Sequence, residues 1–195
     1  MKEFSYSVEF VKLDDIIEEY KLDNLCATKN VKKNIGIAIA HMYYLKEEID
    51  STKPSLPKHI EKSLYRGIVC DCVNVIEAIE YDLGAKLLEV KRDKTNKISD
   101  KICRSAIMII SDFASGNKEN ELYEEYRLLR KSVSLSKNLD IESDSVYSKK
   151  DTNKWMNFMK EYLLYLNSAY SSYLRQKDRK DISERIKLLQ EEINF

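Results

Sequence analysis

Few residues in this 195-residue chain have the types and spacing for chemistry. Two histidines are present, His41 and His59, and neither sits in a metal-binding spacing such as HExxH. Each is expected to be structural or exposed, because an isolated imidazole without a partner has no proton or metal to handle. The four cysteines, Cys26, Cys70, Cys72 and Cys103, include no CxxC pair. Cys70 and Cys72 lie inside a helical pattern, where a two-residue step turns side chains about 200° apart, onto faces that cannot share a metal. Free, buried thiols are the expectation. Carboxylates remain. Di-iron bundles use Glu-x-x-His, which this chain lacks, while Glu47, Glu48, Glu77 and Glu80 could face one another across two helices. Glu77 and Glu80 flank an apolar stripe, however, and are expected on a solvated face. No GxxxxGK[ST], GxGxxG or GxSxG occurs, which removes phosphate-loop, dinucleotide and nucleophile-elbow chemistry. The expectation is a chain with no catalytic set, no metal and no cofactor.

One cationic stretch stands apart, YRLLRKSVSLSKNLDI over 126–141. Read from the residues alone, Arg127 and Arg130 fall in the last turn of a helix, where cations complement its dipole and reach Glu124 or Glu121. The stretch follows a mostly apolar helix and precedes a long aromatic one. In this it resembles the HEPN superfamily of helical domains, in which an Arg, four to six residues and then a His end a comparable helix. Leu129, Arg130, Lys131 and the residues on to Asn138 fit that frame, but Leu135 or Ser136 stands where the histidine belongs. The resemblance implies a metal-independent, dimerising RNase fold. Its chemistry needs a cation to stabilise the phosphorane and a group to move the ribose 2′-hydroxyl proton. Arg130 would supply the first; no neighbour supplies the second, since a serine needs an adjoining base. The implied protein is a catalytically inactive member kept for binding, with a metal-independent RNase or RNA-binding protein as the alternative. In that alternative Arg127, Arg130, Lys131, Lys137 and Asn138 contact phosphates, and Tyr126 stacks on a base.

The elements that must position these residues are helices. Only four Gly and two Pro accompany 34% charged residues, a composition suited to long helices with charged outer faces. Residues 4–13 alternate apolar and polar, which predicts a short strand or extended arm, and 14–22 read as a short helix. A helix is expected from Lys29 to Asp50, capped by Thr28, with Val31, Ile35, Ile39, Met42 and Ile49 as its core stripe, broadened by Ile37, Ala38 and Leu45. A second runs from Pro57 to Val90, with a kink expected at Gly84. The third, Ser99 to Ala114, is apolar on most of its circumference and is expected to be central. A fourth spans Glu119 to Lys131, and 132–150 is a serine-rich loop. The fifth starts after an Asp151–Thr152 cap and runs to Gln176 with a wide aromatic stripe. A last one opens at Asp181 with Glu184 as capping-box partner. The fold expected is all-α, one domain over 1–195, an antiparallel bundle of five to six helices with an N-terminal arm over 1–22.

Charge and composition limit the partners. Lys and Arg number 33, as do Asp and Glu, so the balance gives no support for coating duplex DNA or a membrane surface. The N-terminus has no apolar signal core and no stretch approaches 18 apolar residues, which predicts a soluble cytoplasmic protein. Arg175, Lys177, Arg179 and Lys180 form a small basic patch, but Asp178 interrupts it and Asp181 follows, so a solvated face is expected. Thirteen tyrosines are expected to rim the core with hydroxyls outward. The functional expectation is a helical protein-interaction module, a homodimer or partner-binding protein. Its style of sequence suits a defence, toxin–antitoxin or counter-defence system of bacteria or phage, with RNA as the alternative partner. The aromatic stripe of the fifth helix and the N-terminal arm are the expected interface material.

Overall fold

Thr28 starts the first long helix as its type predicts: in extended backbone, its Oγ1 accepts a hydrogen bond from the Val31 N–H at 3.2 Å. The computed structural model describes residues 12–52, 56–90, 99–112 and 147–193, with Leu122, Glu125, Tyr126 and Leu128. Seven helices are bounded within these residues: α1 (Leu13–Glu19), α2 (Leu22–Leu25), α3 (Lys29–Ser51), α4 (Lys58–Leu87), α5 (Asp100–Asp112), α6 (Lys149–Gln176) and α7 (Lys180–Ile193). The protein is an all-α bundle, and the described residues include no strand. The alternating segment expected as an arm or strand lies, up to residue 11, outside the described residues, as does the serine-rich segment up to residue 146. Of the helix expected over 119–131, Leu122, Glu125, Tyr126 and Leu128 are helical and described.

The central element is α4, which touches α3, α5 and α6; the expectation had placed α5 at the centre. Thirteen buried residues between Tyr65 and Leu87 cover most of its circumference, as a helix packed on several sides requires. Cys72 Sγ lies 3.6 Å from Met42 Sδ and Asp50 lies near Tyr65, which together set α3 antiparallel to α4. Helix α5 returns antiparallel on the other side, with Arg104 beside Glu80 and Cys103 beside Gly84. Helix α6 runs parallel to α4: Arg66 lies over Tyr147, Glu80 meets Tyr162, and Lys86 lies 4.6 Å from the Tyr170 ring centroid. The antiparallel alternation therefore holds for these sequence neighbours and not for this pair.

Two local expectations are corrected. Gly84 does not break α4, which is continuous through it; it is there for close approach, since a Cβ at this position would lie 2.6 Å from Cys103 Cβ and 2.8 Å from its Cα. The N-cap of helix α6 lies three residues before the expected one. Ser148 is the N-cap, its Oγ accepting from the Asp151 N–H (3.2 Å) while the Asp151 carboxylate accepts from the Ser148 N–H (3.3 Å), a reciprocal capping box.

The short α1 and α2 are tied down by polar contacts as well as by Ile16, Leu22 and Leu25 in the core. The Tyr20 and Tyr43 hydroxyls pair at 2.8 Å, Lys86 donates to the Asn24 carbonyl (2.8 Å), the Ala27 N–H donates to Asp82, and Lys160 pairs with Glu19. Helix α7 closes the bundle: Arg185 reaches Asp112 at 2.8 Å and Gln190 donates to the Leu88 carbonyl. No helix among the described residues is long and apolar enough to cross a membrane.

Candidate functional site

Of the residues singled out for binding, the structure describes Tyr126, and it places that ring inside the bundle. Tyr126 is 2% exposed and stacks on Tyr162 with centroids 5.7 Å apart and planes 21° apart. A base would have to displace Tyr162 to reach it. Arg127, Arg130, Lys131, Lys137 and Asn138 lie outside the described residues. Most of the aromatic stripe of α6, expected as interface material, is core: Phe158, Met159, Tyr162, Leu163, Leu166 and Tyr170 are buried, while Trp155 and Tyr173 are partly buried and Leu174 is exposed. Two buried tyrosines hold their hydroxyls inside the bundle rather than at its rim, Tyr20 on Tyr43 and Tyr162 on Glu80. In the basic patch Arg179 pairs with Asp181 and Lys180 sits near Glu184, as a solvated face would have it.

The expectation of a solvated face for Glu80 is overturned. Its side chain is 3% exposed, at the meeting of α4, α5 and α6. Tyr162 O–H donates to Glu80 Oε1 at 2.5 Å and Arg104 Nε–H donates to Oε2 at 3.4 Å, while Arg104 Nη2 lies 3.8 Å from Glu77 Oε1. Burial pushes the Glu80 carboxyl above its ordinary range; the Tyr162 hydrogen bond and the Arg104 charge pull it back, and Glu77 adds to the rise. Burial and the neighbouring carboxylate likewise raise Tyr162. Asn74, Glu77, Ala78, Glu80, Tyr81, Cys103 and Arg104 line a cleft of about 320 Å³ above this cluster. Both Glu80 oxygens are engaged by α5 and α6, so the arrangement joins three helices rather than presenting a base to a substrate.

The other carboxylates do not converge. The Met42–Cys72 register puts Glu47 and Glu48 at the end of α3 away from Glu77 and Glu80. Among the described residues no three His, Cys, Asp or Glu side chains are grouped to hold a metal. The thiols lie as expected: Cys26, Cys72 and Cys103 are buried and Cys70 is half-buried, all four free. Burial pushes Cys26 and Cys72 each up to about 12, which leaves them as thiols at neutral pH.

Among the described residues the exposed large apolar side chains are Ile37, Tyr44, Ile60, Met108, Leu128, Leu174 and Leu188, and two of them lie on one face of α3. Lys33, Asn34, Ile37, His41, Tyr44 and Glu47 are exposed at steps of one to four residues and follow a single outward stripe. Ile37, grouped by the sequence with the core stripe, is 48% exposed, and Tyr44 is 40% exposed. His41 Nδ1 lies 3.8 Å from Asp71 on α4. In that register the α4 positions flanking Ile37 are Asn74 and Ala78, both exposed and short. Charge is graded along the stripe, with Lys33 toward the N-terminus and Glu47 and Glu48 toward the C-terminus. The neighbouring charges are already engaged, Lys32 by Asp23 and Asp50 by Lys149.

Comparison with protein-family models, with curated proteins and with solved structures finds no match to this chain.

Proposed function

We propose that this chain is a helical protein-interaction module, working by presenting the outward face of α3 rather than by carrying out a reaction. The observation that carries the reading is the pair Ile37 and Tyr44, large and apolar, seven residues apart on one helix face and 48% and 40% exposed. Scattered single apolar residues are ordinary on a surface, but two in register on one stripe, rimmed by charges of both signs, have the makeup of a small interface centre. Burying them against a partner removes apolar area from water at roughly 25 cal/mol per Å².

The test compares the wild type with Ile37→Glu/Tyr44→Glu, a surface change that circular dichroism should show to be fully helical. Wild-type protein should associate, with itself or with a protein of its host, and the double variant should lose that association. Equal association by both proteins, or none by either, would contradict the reading. Incubation with labelled RNA, with and without EDTA, belongs in the same experiment: turnover that survives EDTA would replace this reading with a metal-independent RNase.

A further inference from the structure

We propose that the partner of this face is a second copy of the chain, with α3 packed antiparallel on α3 about a twofold axis near Ala40 and His41. The inference rests on the interaction-module reading and goes further by naming the occupant. Its basis is the order of residues along the stripe. An isologous contact requires a surface complementary to itself after a twofold rotation. Taking the axis midway between Ala40 and His41 brings Ile37 of one copy opposite Tyr44 of the other. It brings Lys33 opposite Glu48, with Glu47 one residue away. The rotation repeats each pairing on the other side of the axis, so Ala40 meets His41 at the centre, Ile37 meets Tyr44 on either side of it, and cations meet carboxylates at both ends. A parallel arrangement would instead set Lys33 on Lys33 and Glu47 on Glu47, which like-charge repulsion disfavours.

The rest of the face permits this packing. Helices in contact approach to roughly 8–10 Å between axes, so a partner helix also overlies the flank of α4. There it meets Asp71, which faces His41, and otherwise short or absent side chains: Asn74 and Ala78 are exposed, and a Cβ built on Gly67 finds no atom within 4 Å. Among the described residues no ion pair engages Lys33 or Glu47 within the chain. Exposed Lys–Glu pairs add little affinity individually. Their part here is to select the antiparallel orientation, while Ile37 and Tyr44 supply the burial.

The experiment uses the full chain and two charge-reversed variants, Lys33→Glu and Glu47→Lys/Glu48→Lys, in sedimentation equilibrium from about 1 to 100 µM. Wild type should show a concentration-dependent dimer. Each variant alone should dimerise at least about tenfold more weakly, because reversal sets like charges at both ends of the contact. Mixed in equal amounts, the two variants should form a heterodimer near wild-type affinity, since every end pairing is again of opposite sign. Recovery on mixing cannot come from unfolded protein, so it separates the contact from a stability effect. Monomeric wild type at every concentration, variants that dimerise as well as wild type, or a mixture no tighter than its components would each overturn the dimer. If monomeric wild type still bound a host protein through Ile37 and Tyr44, the dimer would fall and the interaction-module reading would stand.

Discussion

Glu80 is a carboxylate in a place that disfavours charge, and its neighbours decide whether the fold tolerates it. Tyr162 and Arg104 each donate to it, so truncation should be worse than neutralisation. Glu80→Ala leaves the Tyr162 hydroxyl and part of Arg104 without an acceptor and should cost about 2–4 kcal/mol of stability. Glu80→Gln keeps an acceptor for Tyr162 without the buried charge and should stay within about 1 kcal/mol of wild type. The pH dependence has a definite sign. The folded-state pKa of Glu80 is raised, so the folded protein holds its proton more tightly than the unfolded chain. This site's contribution to stability is therefore full below the ordinary carboxylate pKa and declines as pH rises through the folded value. Urea denaturation from pH 4 to 8 should show this decline in wild type and a flatter profile in Glu80→Gln. Identical profiles for the two proteins would remove Glu80 as its source.

Between elements, α5 approaches α4 closely at Gly84. A methyl group there would meet Cys103 Cβ, Cα and carbonyl O at 2.6, 2.8 and 3.0 Å, and two of those atoms are backbone. Gly84→Ala should therefore destabilise by about 1–3 kcal/mol despite its better helix propensity. Gly67, on the same helix with open space around it, provides the internal control: Gly67→Ala should stabilise by about 0.5–1 kcal/mol. Denaturation midpoints that move the same way for both would contradict the packing account. The sequence made helices legible where apolar periodicity and capping chemistry coincide, as in α3 behind Thr28. It was misleading where one residue has two readings. Gly84 reads equally as a kink or a close contact, because both depend on what lies opposite, and that is set by α5. Ser148 lies in a serine-rich run, which masks the Ser148–Asp151 box beside the Asp151–Thr152 pair that the sequence also offers as a cap. Glu80 borders the apolar stripe of α4, and its burial follows from α6 packing over that border. Ile37 sits next to core positions in sequence, but the stripe Lys33–Ile37–His41–Tyr44 was available to be read as a second, outward face.

At the scale of the molecule, side chains from all seven helices enter one main core, and Ile37 and Tyr44 on the outward face of α3 are among the large apolar side chains left exposed. Antiparallel pairing of that face makes a distance prediction that parallel pairing of the same face does not share. With the axis near residues 40 and 41, position 41 of the two copies lies within roughly the 8–10 Å helix separation. Position 30, further along the same helix, is separated from its counterpart by about 30 Å at a rise of 1.5 Å per residue. Cys26, Cys72 and Cys103 are buried, so replacing the half-buried Cys70 by serine leaves a suitable background. In that background the most direct measurement is cross-linking by a short bis-maleimide of His41→Cys beside Asn30→Cys. The account predicts a covalent dimer from His41→Cys and monomer from Asn30→Cys. Monomer from both, or equal dimer from both, would contradict it.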